Sequence, residues 1–413
     1  MCRGVSLPGH SHDKGAMTMI SKRSMSGNEA VAFAMKQINP DVVPAFPITP
    51  STEIPMMFSS YVADGLVDTE FIPVESEHSA MSACIGSEAA GARTMSATSA
   101  NGLALMWEML YIASSFRLPI TLCCVNRALS GPININNDHG DSMGARDAGW
   151  IQLYSENNQE AYDNIIQAIR IGEHPDVRLP VMVCQDGFIT SHSVENIELN
   201  DDEAVRRFTG AYNPEYSLLG NVPIAMGPYE SAEYYIEHKR QQAEGISQAL
   251  RVTREIAAEY GMISGRVYNA IEAFEMVDAE YAVVVIGSTA GTAKAAVKEM
   301  RDEGYKVGLV KIRLYRPFPE TDVANALAGV RGVAVMDKSE GFSANGGPLF
   351  ADVSTALYRH GATCKTINFV YGLGGRDVQI DDIRYVYQEV IRETESGEKE
   401  SMREPYRYLG VRV

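Results

Sequence analysis

The stretch Val42–Glu77, VVPAFPITPSTEIPMMFSSYVADGLVDTEFIPVESE, decides how the rest of the chain reads. A short apolar run, Val42 to Phe46, is followed by the proline-stiffened turn Pro47-Ile48-Thr49-Pro50-Ser51. A helix is expected over Thr52 to Gly65, with Ser51 as its N-cap. A second apolar run, Phe71 to Val74, delivers Glu75-Ser76-Glu77-His78 to the head of another helix. Strand ends that open into helices are where open α/β sheets place their ligands, so a hydroxyl-rich loop and two carboxylates mark a candidate site. On the residues alone, Glu75 and Glu77 are explained equally well by favourable charge at a helix N-terminus.

Working outward, helices are expected at Gly27–Gln37, Glu77–Ala90 and Ala100–Ser114, and strands at Arg93–Thr98 and Leu118–Val125. The Ala100–Ser114 helix is apolar almost all round and should be deeply buried. Helix Gln159–Gly172 and strand Pro180–Cys184 continue an alternation that implies a parallel sheet covered on both faces. Between strand Leu118–Val125 and helix Gln159–Gly172, Asn126–Trp150 is a long polar loop anchored by apolar residues at both ends, a pattern that favours a functional loop. Arg127 stands at its head, where a guanidinium would match the two oxygens of a ligand carboxylate, or equally form a structural salt bridge.

Asn196–Pro228 reads as extended connection and Tyr229–Gly261 as a long polar helix. From Glu280 a second, smaller doubly wound unit begins, with strands at Tyr281–Ile286, Val307–Ile312, Val333–Met336 and Lys365–Val370. At 413 residues the chain exceeds what one core usually serves. The expected division is a disordered leader (1–25), a first α/β domain (26–230), a helical linker (231–278), a second α/β domain (279–395) and a tail (396–413).

Composition excludes several functions. A net charge of −17, with 36 basic against 53 acidic residues and no basic cluster, argues against nucleic-acid binding. No apolar run approaches the ~20 residues of a membrane span, and Met1–Met25 lacks the apolar core of a signal peptide. The six cysteines form no CxxC pair and sit mainly in apolar runs, which points to a reducing cytoplasm and away from iron–sulfur ligation by this chain. Cys123-Cys124 lies within a strand, where adjacent side chains point to opposite faces, so no shared metal is expected. Gly287-Ser288-Thr289-Ala290-Gly291 and Gly372-Leu373-Gly374-Gly375 are best read as tight turns, and His78 and His139 as hydrogen-bonded structural residues.

Taken in order, Pro47-Ile48-Thr49-Pro50-Ser51, Val74-Glu75-Ser76-Glu77-His78-Ser79-Ala80 and Asn126-Arg127-Ala128-Leu129-Ser130 match a known pattern, joined downstream by Arg146-Asp147-Ala148-Gly149-Trp150 and Glu156-Asn157-Asn158-Gln159-Glu160. The chain resembles, from Gly27 to about Glu395, alpha subunits of the multi-subunit 2-oxoacid:ferredoxin oxidoreductase family, those of pyruvate:ferredoxin oxidoreductase in particular. The resemblance implies a thiamine-diphosphate-binding fold of the pyrimidine type, followed by a transketolase C-terminal-like domain. It implies Glu77 at the aminopyrimidine N1′, with Pro47 and Ile48 beside the cofactor. It also implies Thr49 at the substrate oxygen and Arg127 at the substrate carboxylate. The Gly-Asp-Gly motif of the diphosphate half is missing; Gln185-Asp186-Gly187 and Gly140-Asp141-Ser142 come nearest and do not fit. A beta subunit is therefore expected to bring Mg2+ and the diphosphate half, and gamma and delta partners the [4Fe-4S] clusters that pass electrons to ferredoxin. Pyruvate and coenzyme A are the expected substrates, with 2-oxoglutarate as the next 2-oxoacid and a non-catalytic scaffold as the reading of another class.

Overall fold

The computed structural model describes residues 21–396 and 406–412. Strand β1 (Ser21–Ser26) runs into helix α1 (Gly27–Ile38), whose start is closed reciprocally: the Glu29 N–H donates to Ser26 Oγ and the Ser26 N–H to the Glu29 carboxylate. Then come β2 (Val42–Ala45), α2 (Glu53–Ala63), β3 (Glu70–Pro73), α3 (Glu77–Ala90) and β4 (Met95–Thr98). Two short helices, α4 (Ala100–Leu105) and α5 (Trp107–Ser115), precede β5 (Thr121–Asn126), α6 (Gly140–Gly144), β6 (Ile151–Tyr154), α7 (Asn158–Glu173) and β7 (Val181–Asp186). The first half closes with α8 (Ile189–His192), β8 (Val194–Leu199), α9 (Asp202–Thr209) and the long α10 (Tyr235–Ser264).

The second half alternates regularly: β9 (Ile271–Phe274), β10 (Tyr281–Ile286), α11 (Thr289–Asp302), β11 (Val307–Ile312), β12 (Leu314–Arg316), α12 (Glu320–Ala326) and β13 (Gly332–Asp337). It ends with α13 (Pro348–Arg359), β14 (Lys365–Val370), α14 (Ile380–Ser396) and β15 (Arg407–Tyr408). The first sheet has the order β12-β6-β7-β5-β4 and is parallel except for β12; a bridge from Val42 to Thr94 carries it on to the parallel pair β2-β3. The second has the order β15-β14-β13-β10-β11-β9, parallel except for β9. Central strands β5, β7, β10 and β13 are buried along their whole length, as expected of parallel strands covered on both faces.

Several sequence expectations need correction. Residues 21–25, assigned to a disordered leader, pair antiparallel with β8; main-chain bonding needs no apolar pattern, so the strand left no periodic signal. Residues 1–20 lie outside the described residues. The linker expected over 231–278 is not a spacer. Helix α10 buries Ala249, Val252, Ile256 and Tyr260 in the first core, while β9 belongs to the second sheet. Asn196–Pro228 is extended only in part, since it holds the end of β8 and all of α9. The Ala100–Ser114 helix breaks at Met106, turning Met106 and Leu110 inward and leaving Leu105, Trp107 and Tyr111 exposed. Of the tail, Arg407 and Tyr408 pair with β14. Among the described residues no helix is long and apolar enough to cross a membrane.

The two α/β units share one core. Met81, Leu110, Leu122 and Trp150 of the first pack in the same cluster as Val284, Ile312, Val335 and Val353 of the second. Strand β12 is supplied by the second unit to the first sheet. Within this junction Asp186, fully buried at the end of β7, accepts from His139 Nε2 (2.7 Å), Lys338 Nζ (2.9 Å) and Ser288 Oγ (2.5 Å). Its position at the head of α11 adds the Ser288 N–H at 3.3 Å. Burial pushes the Asp186 carboxyl up, but Lys338 and His139 overcome it and hold it well below the usual range. A second junction sets Lys311 against Glu156 (2.7 Å) and Glu160 (2.5 Å), with Lys294 on Glu156 and Glu272. Glu156, Glu160 and Glu272 lie close enough to hold a cation, and the two ammonium groups already fill that place.

Removing one partner from a buried pair leaves an uncompensated charge and costs about 3–5 kcal/mol. Asp186→Ala should therefore lower the chain's thermal midpoint far more than Glu203→Ala, which removes an exposed helix pair. Because the folded carboxyl titrates below its unfolded value near 4, this contribution is present above about pH 4 and lost as pH falls further. Thermal scans of both variants from pH 7 to pH 3 measure it; the gap between the wild type and Asp186→Ala should hold constant down to about pH 4 and begin to narrow below it.

Candidate functional site

The carboxyl ends of β2, β3, β4 and β5 gather one loop or helix head each. After β2, the Pro47–Pro50 turn is closed by the Ser51 N–H and hydroxyl, both donating to Ile48 O at 2.8 Å. Ser51 therefore stabilises the turn and does not cap α2, whose N-cap Thr52 makes no side-chain bond. Two further groups fix the turn from outside: Asn28 Nδ2, fully buried on α1, donates to Pro50 O (2.8 Å), and Arg127 Nη1 donates to Thr49 O (2.9 Å). Ile48 is half-buried, whereas Pro47 and Thr49 are exposed. The Thr49 hydroxyl has no hydrogen-bond partner among the described residues.

After β3, Ser76 caps α3 by accepting from the Ser79 N–H. Glu75 is exposed and bonds the Ser79 hydroxyl, which accounts for it structurally. Glu77 differs. It begins α3, is only 7% exposed, and its carboxylate has no hydrogen-bond or ion-pair partner among the described residues. It stands at the N-terminus of α3, where the helix dipole favours a carboxylate.

After β4, the chain turns at Ala100, held at φ +40°, and enters α4 with Gly102 directly against Glu77. A Cβ on Gly102 would lie 2.7 Å from Glu77 Oε1 and 2.5 Å from Thr98 Oγ1, so only glycine permits this approach. Beside it Thr98 Oγ1 and Ser99 Oγ are buried without partners.

After β5, Arg127 is 8% exposed. Nε donates to Asn134 O and Nη1 to Thr49 O, while Nη2 has no partner among the described residues. The structural salt bridge open to it on sequence does not form; its bonds go to carbonyls. Arg127 and Thr49 are thus brought together directly. Glu77 joins them through the β4–α4 corner, since Asn101 Oδ1 accepts from both Ser130 N (3.2 Å) and Ser130 Oγ (2.9 Å), tying α4 to the loop after Arg127.

Asp141 was weighed in the sequence only as a poor diphosphate motif. It is 4% exposed and accepts four N–H groups: Ala100 N and Arg127 N on Oδ2, Asn126 Nδ2 and Ser142 N on Oδ1. Burial pushes its carboxyl up to about 6 despite those bonds. Asp186, from the other near-miss triplet, is equally engaged at the domain junction. Neither carboxylate is available to a metal–diphosphate group. His139 is the Asp186 partner, and His78 bonds Glu108 at the surface, so both histidines serve structure. Two cavities, of about 690 and 730 Å³, lie away from these residues, one beside Tyr212 and His238, the other between α10, β9 and β11.

Glu77 fits the role of a ligand-facing acid, because it lacks a protein partner, stands on a rigid helix head and is approached closely by glycine. Exposed apolar side chains flank the crevice: Leu105 and Trp107 on α4–α5, Leu129 and Ile133 on the loop after Arg127.

The chain is similar to known proteins. Residues 33–258 match the family model for the thiamine-diphosphate-binding part of pyruvate flavodoxin/ferredoxin oxidoreductase, and residues 279–383 match pyruvate:ferredoxin oxidoreductase core domain II. The chain is 51% identical over 395 residues to pyruvate synthase subunit PorA of Thermotoga maritima, covering 95% of this chain and 99% of that one. It is 41% identical over 378 residues to ketoisovalerate oxidoreductase subunit VorA of Pyrococcus abyssi, covering 91% and 95%. A solved 2-oxoglutarate:ferredoxin oxidoreductase from Magnetococcus marinus superposes with a TM-score of 0.69 at 20% identity, over 92% of this chain and 66% of that one, and shares the fold. The thiamine-diphosphate-binding fold and the second, transketolase-like α/β domain expected from sequence are both present. The chain belongs to the pyruvate flavodoxin/ferredoxin oxidoreductase family.

Proposed function

We propose that this chain is the alpha subunit of a pyruvate:ferredoxin oxidoreductase. It would hold the pyrimidine half of a thiamine diphosphate whose diphosphate and Mg2+ are held by a beta subunit. The reaction would convert pyruvate, coenzyme A and two oxidised ferredoxins to acetyl-CoA, CO2, a proton and two reduced ferredoxins. The observation that carries the reading is Glu77, a buried carboxylate at a helix head with no partner among the described residues, next to a glycine that leaves it room.

Bound thiamine diphosphate supplies a nucleophilic carbon and a temporary store for the electron pair freed by decarboxylation. The chain's own residues would do the following. Glu77 shares a proton with the aminopyrimidine N1′, general acid–base work worth roughly a hundred- to ten-thousand-fold. Pro47 and Ile48 border the cofactor at the turn that Asn28 and Arg127 hold rigid. The free Thr49 hydroxyl donates to the 2-oxo oxygen. Arg127, anchored through Nε and Nη1, turns Nη2 to the substrate carboxylate. The apolar side chains around the crevice, Leu105, Trp107, Leu129 and Ile133, suit the beta subunit that would complete the site. Gamma and delta subunits would carry the [4Fe-4S] clusters. Cys84, Cys123, Cys124 and Cys184 are buried, and burial pushes the Cys84 and Cys123 thiols up, away from the thiolate a cluster requires.

Dye reduction by the assembled complex with coenzyme A and a panel of 2-oxoacids tests the proposal. Pyruvate should be preferred by kcat/KM; preference for 3-methyl-2-oxobutanoate or 2-oxoglutarate would reassign the substrate, and inactivity with every 2-oxoacid would favour a scaffold. Glu77→Gln should lower kcat by about a hundredfold or more. Gly102→Ala, by displacing Glu77, should lower kcat in the same direction with little effect on KM. Arg127→Lys should raise the pyruvate KM about ten- to a hundredfold, the worth of a charge-assisted hydrogen bond.

A further inference from the structure

Asp141 occupies a position that its own stability does not explain. Its carboxylate is buried at the first turn of α6; three of its hydrogen bonds come from the strand ends that form the site, at Ala100, Asn126 and Arg127, and a fourth from the neighbouring Ser142 N–H. On Oδ2 the Ala100 N–H (2.9 Å) and the Arg127 N–H (3.0 Å) meet at one atom, though they are 27 residues apart and belong to different strand ends. On Oδ1, Asn126 Nδ2 (2.8 Å) continues to Ser142 Oγ (2.7 Å), which meets the buried Tyr154 hydroxyl.

Ala100 is the second observation. A left-handed φ of +40° at an alanine costs on the order of 1 kcal/mol or more and persists only where the surroundings impose it. Here the imposed turn aims its N–H at Asp141 and brings Gly102, two residues on, against Glu77. A relaxed turn would move Gly102 and remove the wall on which Glu77 rests.

We infer that Asp141 is the positioning residue of the site, a single buried carboxylate that sets Glu77 through the strained Ala100–Gly102 corner and Arg127 through its backbone N–H. This rests on the roles proposed for Glu77 and Arg127. The carboxylate accepts at both oxygens, so an amide cannot replace it: Asn at this position would turn an NH2 toward one of two donor pairs. Misplacing catalytic groups by a fraction of an ångström to 1 Å costs up to about a hundredfold. The burial that pushes Asp141 up to about 6 shows what the fold tolerates to keep the carboxylate there.

The test uses the assembled complex loaded with thiamine diphosphate and two readouts: the pyruvate KM, which follows Arg127, and exchange of the thiazolium C2 proton in deuterated buffer, which follows Glu77. Asp141→Asn should raise KM and slow exchange, each about tenfold or more. Adding Ala100→Gly, which frees the corner from strain, should restore exchange and leave KM raised. Asp337→Asn is the control, because Asp337 is equally buried and accepts from Leu349 N, Phe350 N and Asn368 Nδ2 away from the site. It should lower the thermal midpoint without moving either readout. If Asp141→Asn changes only the thermal midpoint, or moves both readouts no more than Asp337→Asn does, the inference fails. Glu77→Gln is run beside them. If it leaves C2 exchange intact, the site reading itself falls, whereas loss of exchange in Glu77→Gln with normal exchange and KM in Asp141→Asn overturns Asp141 alone.

Discussion

Asp186 is the contact on which the arrangement of the molecule depends. It ends the central strand β7 of the first sheet and reaches the head of α11 in the second, where a bound anion would otherwise be favoured. Lys338 and His139 keep it ionised inside the shared core. The crevice of the second sheet is therefore filled by the first domain. With a common hydrophobic cluster and β12 crossing between sheets, the two units form one body, and the loops after β2 to β5 of the first sheet hold the candidate site.

At that open edge, charge pairing separates structure from chemistry. Asp141, Asp186 and Glu160 are buried and Glu156 is half-buried, and each is engaged by donors within the chain. Glu77 is buried with none among the described residues. The corner beside it is strained at Ala100 and stripped to glycine at 102. Strain and unpaired polarity gathered at one point are what a site prepared for an external ligand requires. Trp107 and Leu105 nearby are exposed apolar side chains.

Much of this was legible because it is local. Helix α3 runs over the residues expected, Glu77–Ala90, since Ser76 caps it and Gly91 stops it in the left-handed conformation. The buried strands of both sheets declared themselves as continuous apolar runs. What stayed hidden depends on partners distant in sequence. Strand β1 forms through main-chain pairing with Val194–Leu199, far along the chain, with no apolar pattern of its own. Gly140-Asp141-Ser142 and Gln185-Asp186-Gly187 could be read only as failed motifs, because the donors that give each aspartate its role come from other strand ends or from the other domain. The break at Met106 turned an apparently buried helix outward, and apolar composition by itself cannot tell a core face from a face awaiting a partner.

The central claim is that this chain carries half of a cofactor site. Titration calorimetry of thiamine diphosphate with Mg2+ into the isolated chain, and into the chain assembled with its beta partner, tests it most directly. The account predicts no saturable binding to the chain alone and saturable binding of one cofactor per chain in the assembly, weakened by Gly102→Ala. Saturable, Mg2+-dependent binding of equal affinity by the isolated chain would contradict it.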